Sequence, residues 1–149
     1  MRVFEFLKDH HVVFEARMHP PAYTATRLAK YLRVSGRRVL KCVLLKAGPN
    51  LAVAVLPTTR RLHWPGVVEL LGGGARLATE QEVAACFADC EYGSLVPFGR
   101  LYGITTLIDK SLEAEHITFA AQRKAMSITM SFADFLRLEQ PERWRLAMD

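Results

Sequence analysis

The chain has 149 residues, half of them hydrophobic and 23% charged, with a net charge of +5. A chain of this length buries roughly 70% of the surface it exposes unfolded, so its core needs no disulfide or metal. The composition excludes the weakly hydrophobic, highly charged class that stays disordered.

The three cysteines, Cys42, Cys86 and Cys90, are an odd number in mostly apolar surroundings. That usage fits reduced thiols in a cytoplasmic compartment and argues against secretion. The opening MRVFEFLKDHH mixes charges into its apolar residues, unlike a signal peptide. No stretch approaches the roughly 18 uncharged apolar residues of a spanning helix, so a soluble chain with no membrane partner is expected. With no internal repeat or Pro/Gly/Ser-rich linker, residues 1–149 are expected to form one domain. The charge is uneven: residues 1–74 carry 12 Lys/Arg against 4 Asp/Glu, and residues 75–149 carry 8 against 11. A basic half suits a polyanion such as nucleic acid, or is simply a solvated face.

In chain order, Val3–His10 has helical spacing at Val3, Phe6 and Leu7, and Val12–Met18 turns β-favouring until Pro20-Pro21 stops it. Thr24 is a plausible N-cap for a helix through Ala25, Leu28, Ala29 and Leu32, closing near Ser35-Gly36. Val39–Lys46 and Leu51–Leu56 read as two strands of a hairpin at the centre of a sheet. Pro65 starts a short helix that Gly72-Gly73-Gly74 ends, and Thr79-Glu80-Gln81-Glu82 matches a capping box before another. Tyr92–Gly103 reads as a loop, and Ile104–Ile108, Ile117–Phe119 and Met126–Met130 as strands. Ser131–Asp134 opens a terminal helix through Leu138, with Pro141 starting a further turn. Without strict strand-helix alternation, the expected class is α+β: a mixed, twisted, partly closed β-sheet flanked by helices.

Two features could carry chemistry. Strand alternation puts Lys41 on the face of Val39, Val43 and Leu45. There an ammonium needs a counter-charge, a polar cavity or a ligand, or else snorkels past the sheet edge. The second feature is Gly93-Ser94-Leu95-Val96-Pro97-Phe98-Gly99, a preshaped loop whose amides can be aimed at an oxyanion, or an ordinary surface turn.

Other chemistries fail on spacing. No phosphate-binding glycine loop is present, and Cys86-x-x-x-Cys90 lacks the second close ligand pair of structural zinc, with His63 and His116 far away. Neither a metal nor a cofactor is expected. Cys42 lies on the strand face opposite Lys41 with no nearby histidine, which favours core packing over nucleophilic catalysis. His19 reads as a structural residue at a strand end. Glu113 and Glu115 sit together in a polar turn and do not suggest a paired acid and base.

The order of short motifs is more informative than any one of them. His19-Pro20-Pro21 with Tyr23-Thr24, Ser35 to Lys41, Leu51 to Pro57, Leu77 to Glu82, Gly93 to Gly99 followed by Leu101-Tyr102-Gly103, and Ile108-Asp109 succeed one another. This succession resembles the YbaK/prolyl-tRNA synthetase-associated domain family over about residues 15–138. The resemblance implies a free-standing, trans-acting aminoacyl-tRNA deacylase that hydrolyses the ester of a mischarged tRNA. In that family the terminal ribose hydroxyl assists the attacking water, without metal or covalent nucleophile.

On this resemblance Lys41 helps hold the charged 3′ end, and Gly93, Ser94, Leu95, Val96 and Pro97 form the catalytic loop that positions the aminoacyl group. Phe98 and Gly99 complete the turn, and Tyr23 and Thr24 stand at the pocket mouth. Arg37, Arg38 and Lys46 would meet tRNA phosphates. The implied partners are aminoacylated tRNA and an aminoacyl-tRNA synthetase. One region departs from the family: where it commonly has an Asn-x-Gly turn, this chain reads Phe119-Ala120-Ala121-Gln122-Arg123-Lys124. Two alternatives follow: a catalytically degenerate tRNA- or synthetase-binding module of the same fold, and a hydrolase of small aminoacyl esters or amides.

Overall fold

Val3 and Leu7, one helical turn apart, are both buried on α1 (Arg2–Asp9), and the chain then extends into β1 (Phe14–Met18). The computed structural model describes residues 1–149. Thr24 caps α2 (Ala25–Leu32), its hydroxyl accepting the Arg27 amide hydrogen, and Leu28, Ala29 and Leu32 form the buried face. The helix ends earlier than its sequence suggests because Arg33 takes a left-handed conformation at φ 55°.

The aliphatic runs form β2 (Leu40–Ala47) and β3 (Asn50–Pro57), an antiparallel pair in which Lys41 faces Leu56 and Ala47 faces Asn50. Gly48, at φ 60°, supplies the reversal. The chain continues through β4 (Arg61–Leu62), α3 (Trp64–Leu71), β5 (Arg76–Leu77) and α4 (Glu80–Cys86). On α4 both halves of the capping box are made: Thr79 accepts from the Glu82 amide, and the Glu82 carboxylate accepts from that of Thr79. Residues 87–98 form a loop that runs into a 3-10 turn at Gly99–Tyr102. Then come β6 (Thr105–Asp109), β7 (His116–Ala120), β8 (Met126–Ser131) and α5 (Phe132–Glu139).

The expected turn after Pro141 is a strand instead. Gln140 sits at φ 50° and reverses the chain, so that β9 (Glu142–Trp144) runs parallel to β6 along the sheet edge. A final β10 (Ala147–Met148) pairs with β4. The buried Asp109 carboxylate holds this C-terminal end, accepting the amide hydrogens of Leu146 and Ala147 at 2.8 Å each.

The strands form a five-stranded mixed sheet, β5-β2-β3-β6-β9, a three-stranded antiparallel sheet, β1-β8-β7, and the β4-β10 pair. The two larger sheets meet through one parallel bridge, Val39 to Thr118. The architecture is thus mixed α/β, with five helices around a sheet that does not close. Its main core lies beneath that junction, where Phe98 packs edge-on against Phe119 and Phe135.

Candidate functional site

The sheet has a gap along β2. Val39 is bridged to β7, the Leu44 carbonyl accepts the Ala78 amide hydrogen, and β5 joins only at Leu45 and Lys46. Lys41 sits between those two attachments. A cavity of about 60 Å³ opens there, lined by Leu40, Lys41 and Cys42 of β2, Thr24 with Ala25 and Leu28 of α2, Gly93 and Leu95 of the loop, and Ala120 with Lys124 beyond it. The lysine and the glycine loop, about fifty residues apart in sequence, therefore share one opening.

The Lys41 ammonium has neither a hydrogen bond nor an ion pair, and burial holds its pKa below the usual lysine range. No carboxylate lines the cavity. Such an ammonium offers its charge to an incoming anion or dipole instead of a resident partner.

The loop contributes selectively. The Ser94 amide donates to the Glu91 carbonyl at 2.9 Å, Val96 lies away from the cavity, and Pro97 has no N–H. The Gly99 amide donates to Thr106 Oγ1 at 2.8 Å. Gly93 and Leu95 keep amide hydrogens with no acceptor in the protein, and these two residues line the cavity. Gly93 adopts φ 86°, which side-chain-bearing residues resist. Ser94 is buried with its Oγ unpartnered.

The other expected site residues divide clearly. Thr24 lines the cavity while capping α2. Tyr23 is 72% exposed beside it, with the Lys124 Nζ 5.1 Å from its ring centroid. Phe98 is fully buried in the aromatic core, and Gly99 is pressed against Thr106 and Ile104. Neither these two nor Val96 and Pro97 reach the cavity. Arg37 and Arg38 are exposed and unpaired, whereas Lys46 is engaged by Glu82 at 3.0 Å. Between Glu15 and Glu69 the chain holds no acidic residue. The exposed Arg27, Lys30, Arg33, Arg37 and Arg38 of α2 and the turn after it are therefore a positive field beside the cavity.

No activated nucleophile is present. Burial pushes the Cys42 thiol far up, with the neighbouring Cys90 adding to the shift. Cys90 is itself raised to about 11, chiefly by burial.

The sequence flags the turn after β7 as a departure from the family pattern but does not show what Gln122 does there. Gln122 stands at φ 70°, 2% exposed, with both ends of its amide used: Oε1 accepts the Val3 amide hydrogen at 2.9 Å and Nε2 donates to the Asp89 carbonyl at 3.0 Å. The Gln122 carbonyl accepts the Glu91 amide hydrogen at 2.8 Å, and the Lys124 amide donates to Glu91 Oε1 at 3.0 Å. A positive-φ glutamine has no local signature, but the adjoining Arg123-Lys124 pair was a visible cation signal.

Comparisons with known proteins bear on the family and the fold. A family model for the aminoacyl-tRNA editing domain matches residues 19–138. No curated protein sequence matches the chain. Among solved structures, a hypothetical protein superposes with a TM-score of 0.89 at 20% identity, covering 99% of this chain and 100% of its own. A candidate trans-editing enzyme for prolyl-tRNA synthetase superposes with a TM-score of 0.86 at 18% identity, covering 99% and 96%. A candidate signal transduction protein from Marinobacter aquaeolei VT8 matches at 0.76 and 17%, covering all of this chain but 31% of its own. These likenesses bear on the fold, while the family model spans most of the sequence: the chain belongs to the aminoacyl-tRNA editing domain family.

Proposed function

We propose that the protein is a trans-acting deacylase that hydrolyses the ester joining a wrong amino acid to tRNA. The observation that carries this reading is the meeting of an unpaired ammonium, Lys41, and two unused amides, Gly93 and Leu95, around one cavity whose only thiol, Cys42, is held protonated by burial.

Ester hydrolysis needs a water oxygen to bond to the carbonyl carbon while the bond from that carbon to the ribose oxygen breaks. The ribose oxygen leaves with a proton, and the free amino acid and tRNA are released. Amide donors fixed where the carbonyl oxygen becomes negative stabilise that step, each contributing about 10²–10³ in rate when lost by mutation in comparable sites. Lys41 adds positive charge and holds the 3′ end, and the neighbouring ribose hydroxyl of the substrate assists the water. Orientation then supplies much of the remaining acceleration.

The volume of about 60 Å³ is far below the roughly 300–1,000 Å³ of sites that engulf drug-sized ligands. Only the reacting end of a substrate fits, with the RNA lying outside on the positive surface of α2. Purified protein incubated with a panel of aminoacylated tRNAs tests the proposal. Release of at least one amino acid above the buffer rate is expected; intact RNA binding with no release from any pair would favour a binding module instead.

A further inference from the structure

Lys124 is a second cation at the cavity, at the place where the sequence departs from the family pattern. Its backbone is held on both sides: its amide donates to Glu91 Oε1 at 3.0 Å, and its carbonyl accepts the Ala22 amide hydrogen at 2.8 Å. Two residues earlier, buried Gln122 anchors the same turn. Although Glu91 touches its backbone, the Lys124 ammonium has no carboxylate within ion-pair distance. Its Nζ instead lies over the exposed Tyr23 ring, 5.1 Å from the centroid. Tyr23 is in turn next to the loop, its carbonyl 3.9 Å from where a Cβ on Gly93 would stand.

Lys41 lies within the sheet and Lys124 on the rim beside an exposed aromatic ring. The two are therefore positioned for different parts of one extended, anionic substrate. We infer that Lys124, seated on Tyr23, forms a phosphodiester subsite at the cavity mouth. It holds the phosphate that joins the terminal nucleotide to the rest of the RNA, while Lys41 and the loop hold the ester. This rests on the deacylase reading for its substrate, but the subsite itself is a statement about RNA phosphate.

The test compares wild type, Lys124→Ala and Lys124→Arg on two esters of the same amino acid, one on tRNA and one on adenosine lacking any phosphate. For Lys124→Ala the loss in kcat/KM on tRNA should exceed the loss on the nucleoside ester by roughly tenfold, arise in KM, and be largely restored by arginine. Equal losses on both esters, or none on either, would overturn the subsite.

A second arm needs no turnover: binding of uncharged RNA with a single-stranded 3′ end, followed against salt. Removing one phosphate contact should reduce the slope of log K against log salt by about 0.7. An unchanged slope contradicts the subsite even if the protein is a deacylase. A reduced slope in a protein that hydrolyses nothing keeps the subsite and rejects the deacylase. Lys124→Ala should keep the wild-type Tm, because Lys124 joins the hydrogen bonds of the turn only through its backbone N–H and carbonyl.

Discussion

Gln122 Nε2 donates to the carbonyl of Asp89 at 3.0 Å, tying the turn after β7 to the segment that leads into the Gly93 loop. The same side chain, through Oε1, accepts the Val3 amide hydrogen at the start of α1, a helix whose Met1 cap provides no side-chain bond. One buried amide thus holds together the N-terminal helix, the approach to the loop and the turn that carries Lys124.

Replacing Gln122 with alanine leaves the Val3 amide and the Asp89 carbonyl without these partners. The expected cost is about 2–4 kcal/mol, read by urea unfolding. Because both walls of the cavity depend on it, deacylation should fall even under conditions where the variant remains folded. A stability within experimental error of wild type would show that water or a shift in the turn replaces both bonds.

Much of the fold was legible because its signals are local. Thr24 and Thr79 announce helix starts by the hydrogen bonds their own side chains make three residues on. The aliphatic runs flanking Gly48 announce β2 and β3. The short edge strands β4, β9 and β10 were not legible, since two or three residues carry no period and their pairing is set by distant partners such as Asp109. Within the site, Lys41 stood out as a charge in an apolar strand. Gln122 did not, because its bond to Val3 spans 119 residues. The family resemblance puts Phe98 in the turn of the substrate loop, and its ring is drawn inward to fill the core beside Phe119 and Phe135.

Phe98 accordingly provides a stability prediction. Phe98→Ala should destabilise the protein by about 3–5 kcal/mol through cavity formation, whereas Phe98→Leu should fold and leave KM for tRNA near the wild-type value. A large KM effect in well-folded Phe98→Leu would return this ring to the substrate site.

The Glu82 cluster predicts acid sensitivity. Arg76, followed by the Thr79 amide and Lys46, holds the Glu82 carboxyl far below the ordinary carboxylate range. Since the folded pKa is depressed, the stabilisation is present above the ordinary value of 4.5 and is lost as pH falls towards the folded value. Thr79→Ala should cost about 1 kcal/mol at neutral pH through loss of the cap. Glu82→Gln should flatten the acid limb of the stability curve; urea midpoints followed from neutral to acid pH check both.

Lys41 predicts opposite signs for stability and activity. Burial lowers its pKa in the folded state, so holding the charge costs folding energy at neutral pH, and that cost is relieved as pH rises through the lowered value. Lys41→Met should therefore keep or raise Tm while losing deacylation. In the wild type, the Lys41-dependent rate should decline on the alkaline side at a pH below the 10.5 of an ordinary lysine. A Tm drop in Lys41→Met would mean that the ammonium has a stabilising role this geometry does not contain.

The most direct measurement is single-turnover release of amino acid from the best substrate of the tRNA panel, comparing wild type with Lys41→Ala under saturating protein. The account predicts a rate lower by roughly 10² or more, with RNA affinity changed far less and the fold intact. Equal rates in the two proteins would contradict it, because hydrolysis would then be proceeding without the cation that shares the cavity with Gly93 and Leu95.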